Sequence, residues 1–128
     1  MIFEGVNDIG VSDTDEATQD KLFNDLIAAY SQIIAECKSA GLVTIGATIT
    51  QFVGNQYEDP EGVREKTRVR VNKWILTRSS FDHVLDFAEF IGDGDRLKPE
   101  FDSGDHLHPN VAGYRELARR FDLGIFEQ

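Results

Sequence analysis

Apolar residues recur along this chain with two alternating spacings, and the alternation predicts its architecture. Residues 1–6 form a short apolar run interrupted by Gly5 and followed by Asn7 and Asp8, as a buried strand does where it enters a turn. Residues 18–39 set Leu22, Phe23, Leu26, Ile27, Tyr30, Ile33, Ile34 and Cys37 at helical spacing, with Gly41 as a stop. Residues 42–50 carry no charge and are rich in β-branched side chains, as expected of a strand covered on both faces. A second helix is predicted over 63–77, with Val71, Trp74 and Ile75 facing inward, and a shorter strand over 83–87. The last helix starts near Pro109 and is expected to bury Val111, Tyr114, Leu117, Ala118 and Phe121. Between these elements lie a polar, acidic loop at 12–16 and two longer loops, 51–62 and 91–107. Gly54, Asn55 and Pro60 break the first of these, and Gly92, Gly94, Pro99 and Gly104 the second.

Strand and helix therefore alternate three times, which implies an α/β fold with a parallel sheet and right-handed crossovers. Chemistry in such sheets gathers beyond the carboxyl ends of the strands. Asn7 follows the first expected strand, Thr50 ends the second, and Asp105 and His108 lie in the loop after the third. All four are expected to reach one edge of the sheet.

Composition narrows the picture. The 128 residues make one domain, with no internal repeat, low-complexity tract or dividing linker. Hydrophobic residues at 41% and charged ones at 28% suit a globular chain. A net charge of −10 argues against nucleic acid or an anionic membrane surface as partner, since both call for clustered Lys and Arg. No apolar run approaches the roughly 20 residues of a membrane span, and Met1 leads into a strand without a signal-like region. Cys37 is the sole cysteine, so no internal disulfide forms; it reads as a small core residue and leaves the compartment open.

The chemistry-bearing stretch is Asp105-His106-Leu107-His108-Pro109-Asn110. An Asp three residues before a His can fix the imidazole tautomer and stabilise its protonated form, as a general base for a hydroxyl nucleophile requires. Taken singly, His108 reads equally as a residue packing at a helix start, and Asp105 as an acid favoured near a helix N-terminus. Asn7 offers an amide donor for developing negative charge on a carbonyl oxygen, or serves as a turn former beside Asp8 and Gly10. Asp8, Asp105, His106 and His108 have mixed oxygen and nitrogen ligands suited to a metal, but lack diagnostic spacing.

Together, Gly5-Val6-Asn7-Asp8 and the Asp105-to-Asn110 stretch resemble the Gly-x-Asn-Asp and Asp-x-x-His-Pro blocks of the Ser-Gly-Asn-His (SGNH) hydrolases, the GDSL-type esterases and lipases. Asp102-Ser103-Gly104-Asp105, Ala112-Gly113-Tyr114, Thr48-Ile49-Thr50 and Val71-Asn72-Lys73-Trp74-Ile75 resemble family members too, and the likeness spans essentially the whole chain. The resemblance implies a three-layer, flavodoxin-like parallel sheet with flanking helices, here truncated at the N-terminus to about three strands. It implies that Asn7 is an oxyanion-hole donor, His108 the general base and then acid, and Asp105 the residue that orients His108. The implied reaction is acyl transfer from a small ester or acylated sugar to water through a serine acyl-enzyme, with no metal or organic cofactor.

The chain departs from the family pattern at the nucleophile. No Gly-Asp-Ser sequence occurs, and the glycine block expected before the Asn block is missing as well. Ser12 lies in an acidic loop without a strand-to-helix elbow, Ser31 and Ser39 fall in a helix, and Ser79 and Ser80 end one. Ser103 adjoins Asp105 but follows no elbow either. The expectation is a partial SGNH domain, inactive by itself for want of a serine. A non-catalytic oligomerising or ligand-binding module is the alternative. In either case the edge of the strand at residues 1–6 is expected to be covered, by self-association, a rearranged segment or an N-terminal fragment.

Overall fold

The computed structural model describes residues 1–126. Its longest element is α2 (Glu16–Ser39), preceded by the short α1 (Val6–Val11). Helix α2 starts two residues before the apolar spacing suggests, because the Asp15 carboxylate accepts the Thr18 N–H at 2.9 Å and caps it. Its buried stripe is Gln19, Leu26, Tyr30 and Ile34, while Ile33 is exposed and Cys37 only half-buried. Helix α3 (Val63–Thr77) has the bounds that the sequence predicts. Gly62 at its start has no side chain, so the Asp59 carboxylate takes the N–H groups of Val63 and Arg64, each at 2.9 Å. Helices α2 and α3 pack together, with the rings of Tyr30 and Trp74 stacked 6.1 Å apart.

The sheet is smaller than the apolar runs suggest. Strand β1 (Ile45–Ala47) pairs in parallel with β2 (His83–Leu85). The expected strand at 1–6 contributes one bridging residue: Ile2 pairs in parallel with Gly46, donating to the Ile45 carbonyl at 2.7 Å and accepting from the Ala47 N–H at 2.9 Å. Gly5 then turns the chain with φ +111°, so Val6 already belongs to α1. The run 42–50 shortens at both ends. Leu42 and Val43 stand in solvent, and Ile49 gives its backbone N–H to the side chain of Asn72 rather than to a strand. The third run stops at Leu85 because Asp86 caps α4 (Phe87–Ile91), its carboxylate accepting from the Glu89 N–H at 3.3 Å.

Where the sequence reads as irregular, Gly92–Asp93 (β3) and Arg96–Leu97 (β4) form a small antiparallel hairpin. The last helix, α5 (Val111–Arg119), is capped by Asn110, whose side chain accepts from the Gly113 N–H at 2.9 Å. It buries Gly113 and Leu117, whereas Val111, Tyr114 and Ala118 are exposed and Phe121 is half-buried. The expected inward face is thus rotated. Gly113 lets α5 lie close against Phe101, whose carbonyl would sit 2.8 Å from an added Cβ.

Two apolar clusters fill the interior. Ile9, Leu26, Tyr30, Ile49, Phe52, Val71 and Ile75 form the first, around α2 and α3. Ile45, Ala47, Leu85, Phe87, Ile91, Leu97 and Leu117 form the second, around α4 and α5. Alternation along the strands feeds both, with Ile45 and Ala47 on one side and Val84 on the other. Among the described residues no helix is long and apolar enough to cross a membrane.

Candidate active site

Asn7 owes its position to the glycine before it. An L side chain at Gly5 would be strained at φ +111°, and its Cβ would lie 2.7 Å from the Tyr30 hydroxyl and 3.0 Å from Ile49. This tight turn delivers Asn7 to the exposed face of α1, at the carboxyl end of the Ile2 bridge. The far end of α1 is held by Arg64, whose Nε and Nη2 donate to the Ser12 carbonyl at 3.0 and 2.6 Å. A small cleft lined by Phe3, Glu4, Val6, Ile49 and Thr50 opens at the start of α1. Thr50 itself is buried at the foot of this cleft.

Asp105 and His108 meet as their spacing suggests. His108 Nδ1 lies 2.6 Å from Asp105 Oδ2. The other carboxylate oxygen, Oδ1, accepts the backbone N–H groups of Leu107 and His108 at 2.9 and 2.8 Å and the Ser103 hydroxyl at 3.0 Å. These bonds to the ionised form, led by that of the His108 side chain, hold the Asp105 carboxyl far below the ordinary carboxylate range. With Nδ1 engaged by an anion, the free basic position of the neutral ring is Nε2. The imidazole is two-thirds exposed and open to a reacting group.

A second Asp–His pair stands beside the first. His106 Nδ1 lies 2.6 Å from Asp102 Oδ2, and Asp102 Oδ1 accepts the N–H groups of Gly104 and His106 at 2.8 and 3.0 Å. Partial burial raises the Asp102 carboxyl, but the Gly104 N–H and then His106 lower it further, so its net shift is downward. His106 adopts φ +62°, the left-handed region, which allows the chain to reverse between the two pairs. The sequence carries a signal for this pair, an Asp four residues before a His, but the adjacent Asp105–His108 spacing masks it.

The two blocks are joined by the loop after β1. The Tyr57 hydroxyl donates to Asn7 Oδ1 at 2.9 Å, and Asn55 Nδ2 donates to the Asp105 carbonyl at 2.8 Å. Neither Tyr57 nor Asn55 is identifiable from the sequence, because each acts across 50 positions on a residue that only the fold brings near. Among the described residues no group of three or more His, Cys, Asp and Glu is arranged to hold a metal ion.

Beyond a small parallel sheet the chain thus carries an aspartate-held imidazole and an exposed amide, each bonded to one loop. Residues 1–116 match the GDSL-like Lipase/Acylhydrolase family, and the chain belongs to that family. Membership gives it an α/β SGNH fold and an esterase or lipase type of function at the level of the family. A search of curated proteins gives no match.

Proposed function

We propose that this chain supplies the base and oxyanion-donor half of an SGNH esterase site that hydrolyses a small ester or an acylated sugar. The observation that carries the reading is the 2.6 Å contact of His108 with an Asp105 carboxylate whose other oxygen is fixed by two backbone N–H groups. In the proposed cycle, His108 Nε2 takes the proton of a serine hydroxyl as its oxygen attacks the ester carbonyl. Asn7 Nδ2 donates to the resulting oxyanion. The imidazolium then protonates the leaving alcohol, and water releases the acyl group by the same steps in reverse order.

The nucleophile is proposed to come from a segment outside this sequence, carried on a strand added to the Ile2 edge and completing a flavodoxin-like, three-layer sheet. Two observations support that. The sequence contains no Gly-Asp-Ser, and the Ser12, Ser39, Ser79 and Ser103 hydroxyls donate to Asp8 O, Ala35 O, Ile75 O and Asp105 Oδ1 rather than to His108. The second reading, a non-catalytic module that self-associates, draws on the same short edge, where among the described residues Ile2 pairs with β1.

Hydrolysis of a short p-nitrophenyl ester and labelling by a fluorophosphonate separate these readings. Turnover and labelling are expected only after addition of a Gly-Asp-Ser-bearing segment, and they are expected to vanish in His108→Ala. Turnover by the chain alone would overturn the claim about the serine. No turnover after addition, together with a stable dimer by light scattering, would establish the non-catalytic reading.

A further inference from the structure

An oxyanion donor works only if its N–H points at the reacting carbonyl, yet a side-chain amide has two ends of nearly equal size. Something must choose between them. For Asn7 the group in contact is the Tyr57 hydroxyl, 2.9 Å from Oδ1. A phenol that donates to the amide oxygen occupies the acceptor end and leaves both Nδ2 hydrogens available. It also polarises the amide, which strengthens those N–H groups as donors.

Tyr57 is itself held on several sides. Its ring meets Phe52 edge-on at 6.3 Å, and Phe52 is fully buried. The ring also packs against α1 at Gly10, where an added Cβ would come within 2.2 Å of it. The backbone N–H of Tyr57 donates to Asn55 Oδ1 at 3.1 Å, and Arg64 Nη1 donates to its carbonyl at 3.3 Å. Asn55 uses its other end, Nδ2, on the Asp105 carbonyl. One loop thus grips both halves of the site.

We propose that Tyr57 is a positioning residue for Asn7, setting the amide so that Nδ2 faces the reacting carbonyl, with Asn55 fixing the same loop to the Asp105–His108 block. The proposal rests on Asn7 being the oxyanion donor, as argued above. Its energetic logic is pre-organisation: the amide is oriented before substrate arrives, so no reorganisation falls in the chemical step.

Tyr57→Phe removes the hydroxyl and keeps the ring that packs on Phe52 and Gly10. On the chain as it stands, ¹⁵N relaxation of the Asn7 side-chain amide reads how firmly the amide is held, with the exposed Asn24 amide as the reference. In the parent protein the Asn7 amide is expected to be as ordered as the backbone. In Tyr57→Phe it is expected to fall to the level of Asn24 while the backbone spectrum is kept. An Asn7 amide equally ordered in both proteins would overturn the proposal.

The second readout uses the complemented enzyme. Tyr57→Phe is expected to lower kcat about tenfold at constant KM, short of the roughly 10²–10³ that loss of an oxyanion donor costs. An unchanged kcat, or a rise in KM alone, overturns the positioning role. If the complemented wild-type shows no turnover, the esterase reading fails by itself, and the relaxation measurement still decides whether Tyr57 holds Asn7.

Discussion

The segment beyond β1 is held by side chains of α3, and replacing Asn72 by leucine tests how much of the fold depends on that. Asn72 Oδ1 accepts the Ile49 N–H at 2.7 Å, and its Nδ2 donates to the Ile49 carbonyl at 2.8 Å. Both residues are buried, Asn72 at 7% exposure and Ile49 at 1%. Leucine keeps the volume and removes both bonds. The Ile49 carbonyl retains Arg68 Nη1 at 2.9 Å, but the Ile49 N–H is left buried without an acceptor. An orphaned buried donor costs about 1–3 kcal/mol, so a loss of about 2 kcal/mol is expected. Unfolding entropy of roughly 2.1 cal/mol/K per residue over 128 residues amounts to about 270 cal/mol/K. The melting temperature should therefore fall by about 7 °C in a calorimetric scan. Hydrogen exchange adds a local readout, since the Ile49 amide is expected to be protected in the parent and to exchange much faster in Asn72→Leu. A melting temperature within 2 °C of the parent, with Ile49 still protected, would refute the clamp.

Gly10→Ala brings a methyl within 2.2 Å of the Tyr57 ring, and overpacking of this kind costs about 1–3 kcal/mol; denaturant unfolding should show the loss, and an unchanged midpoint would mean that the ring moves freely. Burial, and then the charges of Asp8 and Glu4, push the Tyr30 phenol up to about 12. Its neutral form therefore contributes stability that is complete below the ordinary tyrosine value near 10 and is lost as pH rises towards 12. Absorbance of tyrosinate should show a late phase near pH 12 that Tyr30→Phe abolishes; a phase lost near pH 10 instead would contradict this. The Thr44 hydroxyl, followed by its N–H, holds the Asp82 carboxyl down at about 2, with Lys38 adding to the effect. That contribution is present above the ordinary Asp value near 4 and fades as pH falls towards 2. Asp82→Asn should melt below the parent from pH 7 to 5, and the gap should close by pH 2; a gap independent of pH would show that the carboxylate charge plays no part.

The bounds of helix α3 were legible because their signals are local and agree with the apolar spacing over 63–77, although Trp74 is half-buried and the buried Thr67, Arg68 and Asn72 carry no apolar signal. Strands β1 and β2 were legible in place and order but not in length, the first expected strand keeps only the Ile2 bridge, and the β3–β4 hairpin lies in a stretch that reads as loop. A run such as 42–50 says that its residues are apolar and extended, yet strand length depends on a partner. Strand β2 offers only three residues before Asp86 caps the next helix. Leu42 and Val43 run past that partner, and Ile49 turns to Asn72 instead. Helix α1 went unseen because Asn7, Asp8 and Gly10 are turn formers by local preference, and what stabilises the helix is tertiary: Ile9 in the core and Arg64 on the Ser12 carbonyl. The inward face of α5 was misjudged for a related reason. Gly113 carries no apolar weight in a periodicity count, but its lack of a side chain lets the helix approach Phe101.

For the site, the division falls between contacts within a few residues and contacts across the fold. Asp105 and His108 lie three positions apart, so one turn of chain brings Oδ2 to Nδ1 and the pair could be read from the sequence. The contacts that tie Asn7 and the pair to one loop each span 50 residues, through Tyr57 on one side and Asn55 on the other. Loop residues of this kind have no signature of their own, since a Tyr and an Asn near Gly54 and Pro60 read as an ordinary turn. The consequence for mutagenesis is specific. Under the proposed function, substitutions at Asp105 or His108 should act on the proton transfer itself, whereas substitutions at Asn55 and Tyr57 should alter the geometry between two intact parts. The double variant Asn55→Ala with Tyr57→Phe should then lower kcat by less than the product of the single effects, because both loosen the same loop. Strictly multiplicative effects would instead mean that the two contacts are independent and that the loop is not one unit.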